Sequence, residues 1–332
     1  MNMNLKKISF YIRMLVTLLL IYFVYNFFDI RFDGLMSSFY ESNKKYLFSA
    51  FALMPLTMSI QIFKWHLLLR TLDKNMKLRS AATSYLAGMT LGIVTPARIG
   101  ELGRAWFLRG VPQLEVVGLT IIDKFYSTLA YFSIGILTSL ILLYDYVDLN
   151  VSLRILYYTI AAGSYLFILV ALLDPVKIGK MIKFAGKIFR KKEALNVIAN
   201  SWSMVPRKRI LVVYGLATAV WSSVITQLYL LIRAFDAVPL FDGLISASTA
   251  HFVKTLLPLT LGELGIREAS VSYFFGKLGV GESEAFSAAL LMLLINVLLP
   301  ALVGAIFIMR LKIGRGSNSN QESSLTGHEE QV

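Results

Sequence analysis

Long apolar blocks separated by short charged segments form the main pattern of this chain. Six of the blocks have the roughly 20 residues that a helix needs to cross a bilayer: residues 8–28, 46–69, 115–143, 153–173, 210–234 and 284–309. Two shorter apolar runs, 81–95 and 244–257, stop at a proline. The pattern therefore predicts an all-α integral membrane protein with about six full transmembrane helices and two irregular segments.

Both short runs lead into one motif, P-x-x-x-G-E-L-G, whose two copies begin at Pro96 and Pro258. Proline removes a backbone donor and disfavours helix at the preceding residue. A helix of about fifteen residues cannot cross the ~30 Å of hydrocarbon. We therefore predict two re-entrant helical hairpins, with a tilted, kinked span as the alternative. The residues that break each hairpin are Pro96, Gly100, Gly103, Pro258, Gly262 and Gly265.

The distribution of basic residues predicts the orientation, since Lys and Arg concentrate in cytoplasmic loops. Lys and Arg precede the first apolar block, follow the last one, follow residue 69 and are frequent in residues 174–209. We therefore expect both termini in the cytoplasm. The block before the first hairpin then runs inward and the block before the second runs outward. Two units, about 46–143 and 210–310, would form an inverted-topology repeat, with Pro96 and Pro258 near the midplane.

We expect one transmembrane domain over residues 1–311 and a disordered cytoplasmic tail over the polar residues 312–332. Within the basic stretch 174–209, lysines recur at intervals of three and four residues and alternate with apolar side chains. This spacing predicts an amphipathic helix lying on the inner leaflet. The lysines of that helix are Lys177, Lys180, Lys183 and Lys187.

Composition narrows the class of protein further. The chain is 56% hydrophobic with a mean hydropathy of +0.65. Its net charge of +13 lies between apolar blocks, which indicates topology and anionic lipid headgroups, and not nucleic acid. There is no cysteine, which excludes disulfides and thiol nucleophiles. We find no hydrolase, nucleotide-binding or metal motif in the sequence, and expect no cofactor and no metal site.

Charged residues in the two motifs and in neighbouring apolar blocks are the candidate substrate-binding residues. A charge near the bilayer centre costs at least ~2.5 kcal/mol on insertion scales, so each needs a partner or a wet cavity. We hypothesise a polar cavity in which arginines hold a lipid phosphate while glutamates bind a cation or exchange protons. Internal Glu–Arg pairs that only hold the hairpins together are the alternative. The candidates are Arg98, Glu101, Arg104, Asp123, Lys124, Lys254, Glu263, Arg267 and Glu268.

Some polar positions have a more specific expectation. Asp123 and Lys124 point about 100° apart on a helix, so we expect one of them to meet a hairpin residue. His251 is expected to pack, and Lys64 and His66 to act as interfacial anchors beside a tryptophan.

The two motifs resemble the flippase-like transmembrane domain of lysylphosphatidylglycerol synthases over nearly the whole chain. The second copy, which ends in G-I-R-E at residues 265–268, is the more specific one. The resemblance implies movement of an anionic phospholipid or polyprenyl-linked lipid between leaflets of the inner membrane. Bifunctional members also carry a soluble aminoacyl-transferase domain, whereas a short polar tail follows here, so we expect a stand-alone member without synthase activity.

We therefore expect a lipid flippase and not an enzyme, with anionic lipids and a cytoplasmic lipid-modifying enzyme as partners. A membrane-embedded transferase and an accessory scaffold in lipid or surface-glycolipid biosynthesis are the alternatives.

Overall fold

A computed structural model describes residues 40, 42–93, 95, 98–146, 150–188, 192–256 and 265–308. These residues are mostly helical, and none of them forms a strand. Several predictions concern residues outside this set and are not addressed by the structure: the first apolar block, the polar tail, Pro96, Pro258, Gly262 and Glu263.

The described helices follow one another with short connections. In chain order they are α1 Lys44–Leu69, α2 Leu78–Ile93, a 3₁₀ helix Ile99–Phe107, α3 Gln113–Tyr146, α4 Val151–Leu173, α5 Pro175–Ile188, α6 Lys192–Met204, α7 Arg207–Phe235, α8 Leu240–Leu256, α9 Ile266–Gly276 and α10 Glu282–Leu293. A π-helical turn Leu294–Leu298 follows α10. The whole last helix covers Glu282–Ile308.

Five of these helices, α1, α3, α4, α7 and the last one, are long and apolar enough to cross a membrane. They coincide with five of the six predicted spans, to within a few residues at most ends, which confirms a multi-pass, all-α membrane protein. The sixth predicted span, residues 8–28, lies outside the described residues. The spans are found because ~20 apolar residues in a row have few other stable solutions.

The first short apolar run forms α2, which has 16 residues. At 1.5 Å per residue this helix is about 24 Å long, short of the ~30 Å hydrocarbon core. The 3₁₀ helix packs back along it: Arg104 lies beside Gly88, and Glu101 lies beside Gly92. A residue later in the 3₁₀ helix thus contacts a residue earlier in α2. The two helices therefore form an antiparallel hairpin.

The order of elements is the same in two parts of the chain. The order α1, α2, 3₁₀ helix, α3 is matched by α7, α8, α9 and the last helix Glu282–Ile308, in both cases long, short, short, long. The first helices of the two parts, α1 and α7, pack against each other. The amide of Asn43 donates to the carbonyl of Ala234 (2.7 Å) at one end, and Arg209 donates to Thr71 (2.7 Å) at the other. α1 and α7 therefore run antiparallel to each other.

The basic stretch differs in part from the prediction. The predicted amphipathic helix is present as α5, with Lys177, Lys180 and Lys183 exposed. A second helix, α6, packs against it and against α3, and it buries Ile178 and Trp202. The basic segment is thus a helical hairpin attached to the body of the protein.

A close contact between α2 and the last helix provides a test of this packing. A methyl group added at Gly304 would overlap the carbonyl oxygen of Leu86, next to the hydrogen bond from Thr90 to the carbonyl of Ala301 (2.7 Å). Gly304→Ala should lower stability by about 1–3 kcal/mol through overpacking. Gly215→Ala, at an exposed glycine of α7 with open space around it, is the matched control. Unfolding in mixed micelles checks both, and equal stability of the two variants would contradict the packing.

Candidate functional site

One cavity of about 350 Å³ lies between the two parts of the molecule. Its walls come from α1, α3, α7, the last helix and both short-helix pairs. Seven of the nine candidate residues line it: Arg98, Glu101, Arg104, Asp123, Lys124, Lys254 and Arg267. Residues from both copies of the motif therefore face a common space, although 169 positions separate Arg98 from Arg267 in the sequence.

The 3₁₀ helix explains the alignment of the first three residues. A 3₁₀ helix has three residues per turn, so side chains three positions apart lie above one another. Arg98, Glu101 and Arg104 have this spacing, and Arg98 itself caps the helix in the left-handed region at φ 54°. The side chains of Glu101 and Arg104 then pass over Gly92 and Gly88 of α2, where any larger residue would collide with them.

Glu101 is buried and contacts three cations. Its two carboxylate oxygens lie 2.8 Å from Arg98 Nε, 2.8 Å from Arg104 Nη2 and 3.1 Å from Lys124 Nζ. Three cations around one carboxylate offset the cost of removing the anion from water. The contact with Lys124 also joins the 3₁₀ helix to α3, in agreement with the prediction that Asp123 or Lys124 meets a hairpin residue.

Asp123 forms the second centre of negative charge. It lies 2.8 Å from Arg104 Nη1 and 3.0 Å from Lys64 Nζ, and Lys64 also donates to Ser127 (2.6 Å). The prediction that Lys64 is an interfacial anchor is therefore wrong, because its side chain is only 1% exposed. Arg104 connects the two carboxylates, so six charged side chains from three helices form one network.

Arg104 is enclosed by protein groups, and its side chain is only 2% exposed. Besides its two carboxylate partners, its guanidinium lies 5.1 Å from the ring of Trp65 and 4.4 Å from the ring of Tyr85. Both rings are buried, and Trp65 donates to Ser84 (3.0 Å). Cation–π contacts in a desolvated site add to the ion pairs. The arrangement indicates that Arg104 has a structural role, whereas the side chains of Arg98 and Lys124 are 24% and 35% exposed.

The second motif contributes Arg267 at the start of α9, and the helix before the motif contributes Lys254 near the end of α8. Between them, Gly265 takes φ 87°, which residues with a side chain rarely adopt. Its amide donates to the carboxylate of Glu268 (2.7 Å), so Glu268 caps α9. Glu268 is buried and does not line the cavity. Glu263 lies outside the described residues.

His251 also lines the cavity, with its ring 5.3 Å from that of Trp221. Among the described lining residues, five are cationic and two are acidic. A cavity of this charge attracts anions.

Comparison with known protein families identifies the family of the chain. Residues 10–304 match the family model described as the lysylphosphatidylglycerol synthase TM region. The chain belongs to this family. No curated protein sequence matched the chain. Membership in the lysylphosphatidylglycerol synthase TM family makes this a membrane protein of lipid metabolism, and confirms the resemblance inferred from the two motifs.

The depth of the site in this family member follows from positions along the helices. Lys64 lies five residues before the end of α1, and Asp123 lies ten residues after the start of α3. Along the helix axis these positions are about 8 Å and 15 Å from the respective helix ends. Trp221, at the other side of the cavity, is the fifteenth of the 29 residues of α7. The cavity therefore extends from the middle of the spans toward the end where α1 finishes and α3 begins.

The ion-pair network predicts a large effect at Asp123. Asp123→Asn removes the negative charge and leaves Lys64 and Arg104 buried with one carboxylate fewer, which should destabilise the protein by about 3–5 kcal/mol. The control is Asp174→Asn, which breaks an exposed pair with Lys177 and should cost ~0–1 kcal/mol. Titration with SDS in mixed micelles, followed by tryptophan fluorescence, measures both. Similar losses in the two variants would show that the buried network contributes little.

Proposed function

We propose that this protein moves an anionic phospholipid or polyprenyl-linked lipid between the leaflets of the membrane. The observation that supports this most directly is the positively charged cavity, which lies within the length of the spanning helices and is lined by both motifs. A lipid headgroup that crosses hydrocarbon needs such a polar, enclosed space, because a bare phosphate there is costly.

In the proposed mechanism, Arg98, Lys124, Lys254 and Arg267 contact the phosphate. Arg98 and Lys124 already share Glu101, so an arriving phosphate competes with that carboxylate for the two partly exposed cations. Arg104 stays with Asp123 and Glu101 and keeps the 3₁₀ helix attached to α3. We further propose that Glu263 exchanges partners in the second motif as Glu101 does in the first.

The architecture supports alternating exposure of this cavity to the two sides. Two units with the same order of helices, whose first members α1 and α7 run antiparallel, are typical of inverted-topology transporters. We propose that α2 with the 3₁₀ helix, and α8 with α9, are re-entrant hairpins that move against the spanning helices. Both hairpins supply cavity residues, so their movement would open the site.

The exposed lysines of α5 support a proposal about orientation and partners. Lys177, Lys180 and Lys183 lie beside exposed Met181 and Phe184, a pattern that suits an anionic membrane surface. We propose that this face lies at the inner leaflet of the cell membrane, with both termini cytoplasmic. It would gather anionic lipids there, or receive them from a cytoplasmic lipid-modifying enzyme.

A reconstituted vesicle assay tests the proposed transport. Fluorescent phosphatidylglycerol that reaches the outer leaflet is reduced by dithionite, which gives a translocation rate. Lys124→Gln and Arg267→Gln should each slow translocation by about ten-fold or more, since a hydrogen bond to a charged group contributes ~1.5–3 kcal/mol. Lys177→Gln, on the exposed face of α5, is the control for insertion and charge.

Wild-type rates in both cavity variants, with normal insertion, would contradict the proposed transport. The same vesicles separate a transporter from a membrane-embedded transferase. Mass spectrometry of the lipids after incubation with candidate donors should find the labelled lipid chemically unchanged, whereas a new lipid species would favour the transferase.

A further inference from the structure

A second cavity, of about 490 Å³, lies between α3 and α4 and is almost entirely apolar. Its walls include the aromatic rings of Phe125, Phe132 and Phe167. The hydroxyl of Ser164, also in the wall, donates to the carbonyl of Ile160 in its own helix (2.8 Å). This α3–α4 groove therefore offers a ligand apolar surface and few polar partners.

The groove adjoins the charged cavity at Thr128, which lines both. Residues four apart on a helix lie on the same face. Along α3, Lys124 faces the charged cavity, Thr128 lies at the junction and Phe132 lies in the groove. One face of α3 thus passes from an ammonium group to an aromatic ring within about two turns.

The shape and surroundings of the groove suit a hydrocarbon chain. On α4 it extends from Ile160 to Ile168, about 12 Å at 1.5 Å per residue, close to the ~15 Å depth of one leaflet. Among the five described helices that are long enough to span, α4 has the smallest buried share, 17%, as expected of a helix with one side against lipid. Gly163 leaves open space in the wall, since a Cβ atom added there would have no atom of the described residues within 4 Å.

We propose that the α3–α4 groove binds an acyl or prenyl chain of the lipid whose phosphate occupies the charged cavity. The inference rests on the proposed lipid transport and adds where the apolar part of the substrate goes. A lipid headgroup inside the protein remains attached to its chains, and those chains stay in hydrocarbon only if an apolar path leaves the cavity. Thr128 marks that path.

The groove is ordered by contacts that are independent of any ligand. Phe132 packs edge-on against Phe252 of α8 (5.4 Å between ring centres), and Phe125 packs against Trp202 of α6 (6.0 Å). Tyr165 of α4 donates to the carbonyl of Ser133 and holds α4 against α3. The walls are therefore formed in advance, which reduces the entropy lost when a chain binds.

Two photoreactive lipids with the same diazirine-bearing acyl chain, one phosphatidylglycerol and one phosphatidylcholine, test the proposal. In wild-type protein in nanodiscs, the anionic probe should label peptides covering residues 125–132 and 160–168 more strongly than the zwitterionic probe. Gly163→Leu places a side chain in the groove and should exclude about two methylenes of the lipid chain from it. At ~0.8 kcal/mol per methylene, this should reduce the labelling by roughly ten-fold. Gly215→Leu is the matched control, since Gly215 is also exposed and helical, also has open space around it, and lines neither cavity.

Equal labelling by the two probes would mean that the groove holds bulk lipid, and would overturn the inference. The vesicle assay separates this failure from failure of the proposed function. If Lys124→Gln slows translocation while Gly163→Leu labels and transports like Gly215→Leu, the groove is not the chain site and lipid transport stands. If Lys124→Gln also transports like wild type, the proposed function fails and the inference fails with it.

Discussion

The ion pairs that Arg104 makes with Glu101 and Asp123 are the interaction on which the rest of the site depends. Two carboxylates buried among apolar helices are unstable without cations beside them, and a cation placed between them stabilises both. Arg104 is on the 3₁₀ helix and Asp123 is on α3, so the requirement for charge balance fixes the broken hairpin against a spanning helix. The junction thus holds one wall of the cavity, the 3₁₀ helix, against another, α3.

Small residues make the junction possible, and their roles differ by position. Gly88 and Gly92 leave room on α2 for the side chains of Arg104 and Glu101, whereas Gly100 lets the backbones of the two helices touch at Leu91. The P-x-x-x-G-E-L-G motif is thus more than a helix break. In the first copy, Gly100 and Gly103 permit close packing against α2. Glu101 supplies a buried negative charge, which is stable only when the packing brings cations to it.

The sequence predicted the spanning helices well because their length and apolarity are local properties. It also predicted that Asp123 or Lys124 would meet a hairpin residue, and both do. Lys64 was misjudged because a lysine five residues from a helix end is as compatible with an interfacial anchor as with a buried partner. Only tertiary packing decides between them. The lysine pattern of residues 177–187 predicted α5 but gave no sign of α6 as a second helix packed against it. The structural role of Arg104 depends on the rings of Trp65 and Tyr85, which are distant from it in sequence.

Native mass spectrometry of the detergent-purified protein tests the central claim most directly, with identification of the lipids that remain bound. Wild type is compared with a Lys254→Gln, Arg267→Gln double variant, which removes the two cavity cations near the second motif and leaves the Arg104 network intact. The account predicts that wild type retains an anionic phosphate-bearing lipid above its share of the membrane, and that the variant loses this enrichment. The same mixture of bulk lipids on both proteins would contradict a headgroup site in the cavity.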